Sequence, residues 1–265
     1  MKKFWHSFKA RVAYNDALNH YNLGQAQKAR DLAEAVLRIE PNHTGALWLT
    51  GTLAFESRDF ETSAARFELL STLDSGNAEV WLWLGNIRRE LGALDESAEA
   101  YRRAVECDRR HAQAHGNIGV VMSDLGNHAK AIACHGEAIS LDGTNPRNHF
   151  NLAIALYDAG DLSAAVDAYR AAIAVDGKFI PARQGLAGVL RELGDREGAI
   201  ACYRDILKIE PKHGTAIHML ASLTGSVLAA PPVDYVSELF DNFAPRFDDH
   251  MQARLRDTAV VPRLD

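Results

Sequence analysis

Histidine and cysteine are the residues of this chain with the most versatile chemistry, since both bind metal ions and both serve in catalysis. There are eleven histidines, of which His111 and His115 lie four residues apart, and His128 and His135 follow closely. Zinc sites use histidines at such short spacings. The three cysteines are Cys107, Cys134 and Cys202. Their number is odd and none belongs to a Cys-x-x-Cys pair, so the cysteines indicate neither a zinc site nor a disulfide framework.

A residue pattern recurs every 34 positions from Ala10 to His213, without insertion or deletion. The repeats are 10–43, 44–77, 78–111, 112–145, 146–179 and 180–213. In each, the eighth position is Gly or Ala and the twentieth is Ala or Ser. The fifteenth is Gly except in the second repeat, where Arg58 takes its place. Apolar residues at helical spacing on both sides of this position predict two amphipathic helices joined by a tight turn. A fixed period of this length is the signature of a helical solenoid.

The repeat also assigns the histidines to packing positions. His115 and His149 both occupy the fourth position of their repeats, which Trp81 occupies in the third. His135 stands where Tyr101 stands. We therefore expect these histidines to be packing residues with a polar tip, and we expect no metal site. A catalytic Cys–His pair rests on no motif, and the phosphate-loop, Gly-x-Ser-x-Gly and His-Glu-x-x-His patterns are absent from the sequence.

Composition excludes some classes of partner. The net charge of −6 gives no overall basic field for nucleic acid or an anionic membrane. An apolar content of 47% with 24% charged residues fits a folded protein. No segment approaches the run of about 20 apolar residues that spans a membrane. With no run of signal-peptide length and no disulfide framework, the sequence predicts a cytoplasmic protein.

Residues in three of the repeats resemble the tetratricopeptide repeat family. The third repeat carries Trp81, Leu84, Gly85, Gly92, Tyr101 and Ala104, the fourth Ile118, Gly119, Gly126, Ala131 and Ala138, and the fifth Leu152, Ala153, Gly160, Ala165, Tyr169 and Ala172. The resemblance implies an all-α fold, a right-handed superhelical solenoid of helix-turn-helix repeats. It further implies a protein–protein interaction scaffold that binds a protein or extended peptide in a concave groove lined by the first helices.

Aromatic and amide side chains dominate the positions that this resemblance places in the groove. The candidate residues are Tyr14, Asn15, Tyr21, Trp48, Phe55, Asn86, Arg89, Asn117, Arg147, Phe150, Asn151 and Tyr157. Aromatic rings supply contact area, and an amide can pair with a peptide backbone of any sequence. We therefore expect a bound peptide to use the aromatic residues as anchors and the amides as backbone partners.

Part of this set is similar to the carboxylate clamp of chaperone-binding repeats. Asn86, Asn117 and Arg147 fit three of the five clamp places. Leu82 stands where the clamp needs a lysine, and Asn151 where it often has an arginine. A true clamp for a Glu-Glu-Val-Asp tail is therefore not expected.

The ends of the chain depart from the repeat. Residues 1–9 form an N-terminal extension, 214–224 are expected to form a capping helix, and 225–265 a linker and a remnant helical segment. Val236, Leu239, Phe240 and Phe243 predict a short amphipathic helix in that segment. Phe240, Phe243 and Phe247 offer a contact for self-association.

The stretch Tyr235–His250 looks like the junction at which tetratricopeptide repeats precede an S-adenosylmethionine-dependent methyltransferase domain in bacterial proteins. The resemblance rests on Tyr235, Val236, Leu239, Phe240, Asp241, Phe243, Ala244, Arg246, Phe247, Asp248 and His250. The family then continues with a strand and a glycine-rich cofactor loop, for which residues 251–265 are too few. The sequence therefore predicts no cofactor and no enzymatic activity. The alternative function is the recognition arm of a methyltransferase whose catalytic domain is missing from this chain.

Overall fold

The structure is a computed structural model that describes residues 2–226 together with Pro232 and Tyr235, with side chains from Phe8 onward. Over these residues the chain forms thirteen α-helices and no β-strand. The helices are α1 (Lys2–Asn22), α2 (Ala26–Ile39), α3 (Thr44–Glu56), α4 (Phe60–Leu73), α5 (Ala78–Glu90), α6 (Leu94–Cys107), α7 (Ala112–Asp124), α8 (His128–Leu141), α9 (Pro146–Asp158), α10 (Leu162–Val175), α11 (Ile180–Glu192), α12 (Arg196–Ile209) and α13 (Gly214–Thr224). The predicted all-α fold is confirmed.

The helices belong to two compact units, Met1–Ala159 with α1 to α9 and Gly160–Asp265 with α10 to α13. Within each unit, helices that follow one another in the chain pack side by side, such as α5 with α6 and α11 with α12. The first helices α3, α5, α7, α9, α11 and α13 begin 34 residues apart. Because contacts run mainly between neighbours in the chain, the fold is a helical repeat solenoid.

Short polar side chains start the second helix of most repeats. Asp59, Asn127, Asp161 and Asp195 each accept a hydrogen bond from the backbone N–H three residues later, at 2.8–3.3 Å. These bonds satisfy donors that a helix N-terminus leaves unpaired. These four residues are therefore the N-caps of α4, α8, α10 and α12.

Several histidines accept hydrogen bonds from backbone N–H groups at the start of a helix. The Nδ1 atoms of His43, His111 and His213 accept hydrogen bonds from the N–H groups of Ala46, Ala114 and Ala216, at 3.1, 3.3 and 3.2 Å. These histidines therefore act as N-caps of the first helices α3, α7 and α13.

The histidines at the fourth repeat position have the role of the equivalent tryptophan. Trp81 Nε1 donates to the carbonyl of Ser75 at 2.9 Å, six residues earlier. The Nε2 atoms of His115 and His149 lie 3.1 Å from the carbonyls six residues before them. The expected packing role is therefore confirmed at this position, and no group of metal-binding residues occurs in the part of the chain that the structure describes.

The turn between the two helices of each repeat requires a left-handed residue. Gly24, Gly92, Gly126, Gly160 and Gly194 have φ between 71° and 84°. Arg58 has φ 62°, so the turn without glycine keeps the same conformation. Its guanidinium lies 5.8 Å from the centroid of the Phe60 ring.

We expect Gly92→Ala to lower the free energy of unfolding by about 1–2 kcal/mol, because alanine in the left-handed region is strained and nothing lies within 4 Å to compensate. Arg58→Ala should change it by only about 0.5 kcal/mol, since the residue is already left-handed and loses only its contact with Phe60. Urea unfolding followed by circular dichroism measures both. Equal losses would show that the two turns differ in the native protein.

The two helices of a repeat approach closely at glycine. A Cβ atom added at Gly51, Gly85 or Gly119 would lie 2.8, 2.3 or 2.5 Å from the ring at the twenty-fourth position of the same repeat. These rings belong to Phe67, Tyr101 and His135, each at most 1% exposed. The twentieth position is equally buried, and Ser97 there donates its hydroxyl to the carbonyl of Gly85 at 2.8 Å. In the second, third and fourth repeats, the small residues therefore make room for one large ring between the two helices.

Candidate binding surface of the first helices

The first helices α5, α7 and α9 enclose a polar cavity of about 630 Å³ in the first unit. Its polar lining consists of Arg89, Gln113, Asn117, Asp142, Asn145, Arg147, Asn148 and Asn151. Four of these, Arg89, Asn117, Arg147 and Asn151, belong to the predicted groove residues. The 34-residue period brings Asn117 and Asn151 to the same cavity from neighbouring first helices.

A hydrogen-bonded network beside the cavity positions Asn117. The hydroxyl of Tyr101 donates to Oδ1 of Asn86 at 2.7 Å, and Nδ2 of Asn117 donates to the same oxygen at 3.1 Å. Burial raises the pKa of Tyr101 to about 12, so its hydroxyl remains a donor at neutral pH. The Oδ1 atom of Asn86 therefore already has two partners, and Asn86 acts by holding Asn117 in place.

The charge of the cavity is positive, although the chain as a whole is acidic. Arg89 is half-buried and Arg147 is exposed, and neither forms an ion pair with any residue that the structure describes. Asp142 is the one carboxylate in the lining. Hydrogen bonds from the hydroxyl and backbone N–H of Thr144 lower the pKa of Asp142, which therefore stays ionised. The lining thus carries two positively charged guanidinium groups and one negatively charged carboxylate.

The remaining amide side chains of the cavity differ in whether they already form hydrogen bonds within the protein. Asn145 Oδ1 accepts from the N–H of Arg147 at 3.0 Å and caps α9. Asn148 is 7% exposed, and its Nδ2 donates to the carbonyl of Asp142 at 3.2 Å. Asn151 is half-buried and makes no side-chain hydrogen bond within the described part of the chain. Its amide is therefore available to a ligand.

Two of the predicted aromatic anchors pack within the protein. Trp48 lies edge-on to Phe67 with the ring centroids 5.3 Å apart, and Phe55 lies edge-on to Trp83 at 5.4 Å. Trp83 in turn stacks on Phe67 at 5.3 Å. Trp48 and Phe55 are only partly buried and contact the core of the first unit. Much of their ring area therefore serves this core.

The other predicted groove residues lie away from the polar cavity or at its side. Tyr14 packs against His43, with the ring centroids 4.8 Å apart, and Tyr21 donates its hydroxyl to Glu56 at 2.9 Å. Asn15 is exposed on a different depression, beside Val12. Phe150, which is half-buried, and Tyr157, which is 40% exposed, lie on α9.

Four polar lining residues were absent from the predicted groove set: Gln113, Asp142, Asn145 and Asn148. Gln113 occupies the second repeat position, as Arg147 does, so the repeat register could have identified it. Asn145 is the N-cap of α9, and Asn148 occupies a buried position of the same helix. Sequence alone gives such residues a structural role, and only the packing of α8 on α9 brings them to the cavity wall.

Paired helices repeated in tandem define the class of this protein. Such solenoids generally serve as non-catalytic scaffolds for protein interactions, and their members bind protein or peptide partners. Family models described as tetratricopeptide repeat match residues 14–77, 49–113, 117–184 and 156–223. The chain belongs to the tetratricopeptide repeat family.

Solved structures share this fold. The protein MamA is 22% identical, with a TM-score of 0.58 over 65% of this chain and 94% of that one. PilF of Pseudomonas aeruginosa is 15% identical, with a TM-score of 0.66 over 82% of this chain and 98% of that one. YrrB, described as a tetratricopeptide protein with an unusual peptide-binding site, is 18% identical, with a TM-score of 0.56 over 71% of this chain and 96% of that one. At these identities the likeness concerns the fold.

The predicted features of the C-terminal segment fall almost wholly outside the described residues. The methyltransferase-like junction and the aromatic contact through Phe240, Phe243 and Phe247 therefore stay predictions. Of that stretch the structure describes Tyr235, whose ring stacks on His218 of α13 with the centroids 3.8 Å apart. None of the helices within the described ranges is long and apolar enough to cross a membrane.

Proposed function

We propose that this protein is an interaction scaffold that binds an extended segment of a partner protein at the polar cavity between α5, α7 and α9, and that this segment carries a carboxylate. The observation that supports the proposal is the pair Arg89 and Arg147. Both line one cavity, and neither has an ion-pair partner among the described residues.

Arginine favours carboxylate ligands because its guanidinium donates two parallel hydrogen bonds to the two oxygens. A cavity with two such groups and one carboxylate attracts a negatively charged segment even though the whole chain is acidic. Asp142 favours a basic segment less strongly than the two arginines favour an acidic one. The charge of the lining therefore selects the chemical class of the ligand.

The amides add recognition of the ligand backbone. Asn151 has both its oxygen and its nitrogen free of side-chain partners in the described structure, so it can accept from one peptide N–H and donate to one carbonyl. The side chain of Asn117 is held by its hydrogen bond to Asn86. Asn117 therefore loses less conformational entropy when a ligand binds to it. Phe150 and Tyr157 on the same helix α9 offer apolar area for a side chain of the ligand. An extended peptide with an acidic residue beside an apolar one fits this combination.

A peptide library displayed on a surface and selected with the purified protein tests the proposal. We expect selected peptides to be enriched in aspartate and glutamate. The double variant Arg89→Ala/Arg147→Ala should bind a selected peptide about thirtyfold more weakly, since losing two anchors costs about 2 kcal/mol or more. Isothermal titration calorimetry measures both affinities.

The matched control removes the same charge from the second helices. Arg102 and Arg170 are exposed there, with 60% and 61% of their side chains accessible. The variant Arg102→Ala/Arg170→Ala should bind the peptide with unchanged affinity. Selected peptides without acidic residues, or equal losses in the two double variants, would place the ligand elsewhere.

A further inference from the structure

Another depression, also of about 630 Å³, lies between the second helices α4 and α6, and the first helix α5 contributes to its lining. None of its lining residues belongs to the polar cavity. Trp81, Leu84 and Ala100 are its apolar residues, and most of the surface inside it is apolar. This surface, which we call the α4–α6 depression, is therefore distinct from the one on which the proposed function rests.

Trp81 gives the α4–α6 depression an aromatic ring whose orientation is fixed. Its Nε1 atom donates to the carbonyl of Ser75 at 2.9 Å, and the side chain is half-buried. Because this hydrogen bond already holds the ring, a ligand that packs on it costs little further side-chain entropy. A tryptophan ring attracts lysine and arginine, since their stems are apolar and their charged ends interact with the ring face.

Charged side chains surround this apolar surface, and most of them are acidic. The charged lining residues are Glu68, Asp95, Glu96, Glu99, Arg88 and Arg103. Four carboxylates and two guanidinium groups leave an excess of two negative charges. The α4–α6 depression therefore favours a basic ligand, whereas the polar cavity favours an acidic one.

The positive charge of Arg88 is compensated within the protein. Its guanidinium pairs with Glu68 of α4 and, at 3.4 Å, with Glu96 of α6. The side chain of Arg88 is 29% exposed, so these two carboxylates hold it against the protein. Arg88 therefore repels a basic ligand only weakly.

Arg103 is paired as well, whereas one carboxylate is left over. Arg103 lies 3.3 Å from Glu99 and 3.1 Å from Glu106, which is outside the lining. Asp95 is exposed and forms no ion pair within the part of the chain that the structure describes. The ion pair of Glu99 with Arg103 is exposed, so a cationic ligand can exchange with it at little cost. Asp95 and Glu99 are therefore the carboxylates available to a ligand.

The repeat itself does not require these carboxylates. The residues 34 positions after Glu68, Asp95, Glu96 and Glu99 are Arg102, Ala129, Lys130 and Ala133. None of these counterparts is acidic and two are basic, although the fourth repeat has the same helices. A helix N-terminus favours acidic residues, which accounts for Asp95 and Glu96 in the first turn of α6 but not for Glu68 and Glu99 further along their helices. The acidic charge is therefore a local feature of the α4–α6 depression.

We propose that the α4–α6 depression binds a lysine- or arginine-rich segment of a partner protein. The stem of one basic side chain packs along Trp81 and Leu84, and its charged end pairs with Asp95 and Glu99. A single residue type thus matches both the apolar surface and the acidic charge around it. The scaffold then has two surfaces that select segments of opposite charge.

Nuclear magnetic resonance of the isotope-labelled full chain, titrated with the peptide hexalysine, tests this proposal. Each of the four tryptophans gives one indole N–H signal, and the variant Trp81→His identifies that of Trp81 by its loss. Histidine fits this position, because His115 and His149 occupy it in the next two repeats. We expect hexalysine to shift the signal of Trp81 in a saturable manner, and hexaglutamate to leave that signal unchanged.

A double variant and a matched control locate the charges that bind. Asp95→Asn/Glu99→Gln should weaken hexalysine binding about tenfold, since it removes two exposed charge pairs with the ligand. The control Asp167→Asn/Glu197→Gln removes the same charge from the same two repeat positions on α10 and α12, where both residues are exposed. It should bind hexalysine as the wild type does. Arg89→Ala/Arg147→Ala should also bind hexalysine with unchanged affinity, so this test does not depend on the polar cavity.

Three results would overturn the proposal. The Trp81 signal could stay unchanged with hexalysine, or it could shift equally with hexaglutamate. Equal losses of affinity in the two carboxylate double variants would show that only the overall negative charge of the chain attracts the peptide.

Discussion

Replacing Gly85 by leucine is expected to lower the free energy of unfolding by about 3 kcal/mol or more, the upper range for overpacking a core. Even the Cβ atom of the new side chain would lie 2.3 Å from the ring of Tyr101. That ring is fully buried and its hydroxyl is bonded to Asn86, so it cannot move aside without breaking the network beside the polar cavity. Helices α5 and α6 must then separate.

A second glycine gives the matched control. Gly136 lies within α8, is exposed, and has nothing within 4 Å of a Cβ atom built on it. Gly136→Leu should raise the free energy of unfolding by roughly 0.5–1 kcal/mol, because leucine has a higher helix propensity than glycine. Urea unfolding of both variants shows whether each substitution lowers or raises the free energy of unfolding. If Gly85→Leu proved as stable as Gly136→Leu, the close approach of α5 and α6 would be wrong.

The sequence predicts this packing because each repeat makes its contacts within itself and with its neighbours. The eighth and twentieth positions are small in all six repeats. In the second, third and fourth repeats, the glycine at the eighth position lies against the large ring at the twenty-fourth position. A local period therefore carries most of the information on the fold. Arg58 is the position where the local rule fails. Its turn keeps the left-handed conformation because the helices on both sides fix it, at an energetic cost that the rest of the repeat offsets.

The candidate site is less predictable, because the repeat register places a residue on the first helix without fixing its partners. Trp48 and Phe55 have the register of groove residues, yet Trp83 and Phe67 from neighbouring helices occupy much of their surface. Asn86 has the register of a ligand-binding amide, yet Tyr101 uses its oxygen. Such pairings depend on side-chain conformations in three dimensions, which periodicity does not encode.

The charge of the cavity also emerges only from the structure. Arg89 and Arg147 are separated by much of two repeats in the sequence, and many arginines of the chain lie between or beside them. Others, such as Arg88, are paired with glutamates on neighbouring helices. Only the spatial arrangement distinguishes an arginine that lacks a partner among the described residues from one that stabilises the fold.

The stability of the chain is expected to fall by about 3 kcal/mol between pH 6.5 and pH 4 because of a single histidine. His135 is 1% exposed, and burial lowers its pKa from 6.5 to about 4. Between these values the unfolded chain binds a proton at His135 and the folded chain does not, so acid favours unfolding. Each pKa unit corresponds to about 1.4 kcal/mol. The contribution of neutral His135 is therefore complete above pH 6.5 and is lost as the pH decreases to 4.

His135→Phe should remove this part of the acid sensitivity. Phe67 occupies the same position in the second repeat and packs over Gly51 as His135 packs over Gly119, so phenylalanine fits the site. Nδ1 of His135 is buried and has no hydrogen-bond partner among the described residues, so no bond is lost at this atom. The variant should unfold in urea at pH 7 with a free energy at least equal to that of the wild type. Its advantage should grow by about 3 kcal/mol toward pH 4, whereas carboxylates that titrate in the same range affect both proteins equally.

A control variant removes a different histidine. His115→Trp places at the fourth repeat position the residue that the third repeat has there, which keeps a ring N–H directed at a backbone carbonyl. The difference in pH dependence between this variant and His135→Phe isolates the buried ring from the general effect of losing a histidine. If His135→Phe and the wild type lost stability in parallel from pH 7 to pH 4, His135 would have to take up a proton in the folded state as easily as in the unfolded chain. That result would contradict its position between α7 and α8, since a protonated imidazole without a partner is costly to bury.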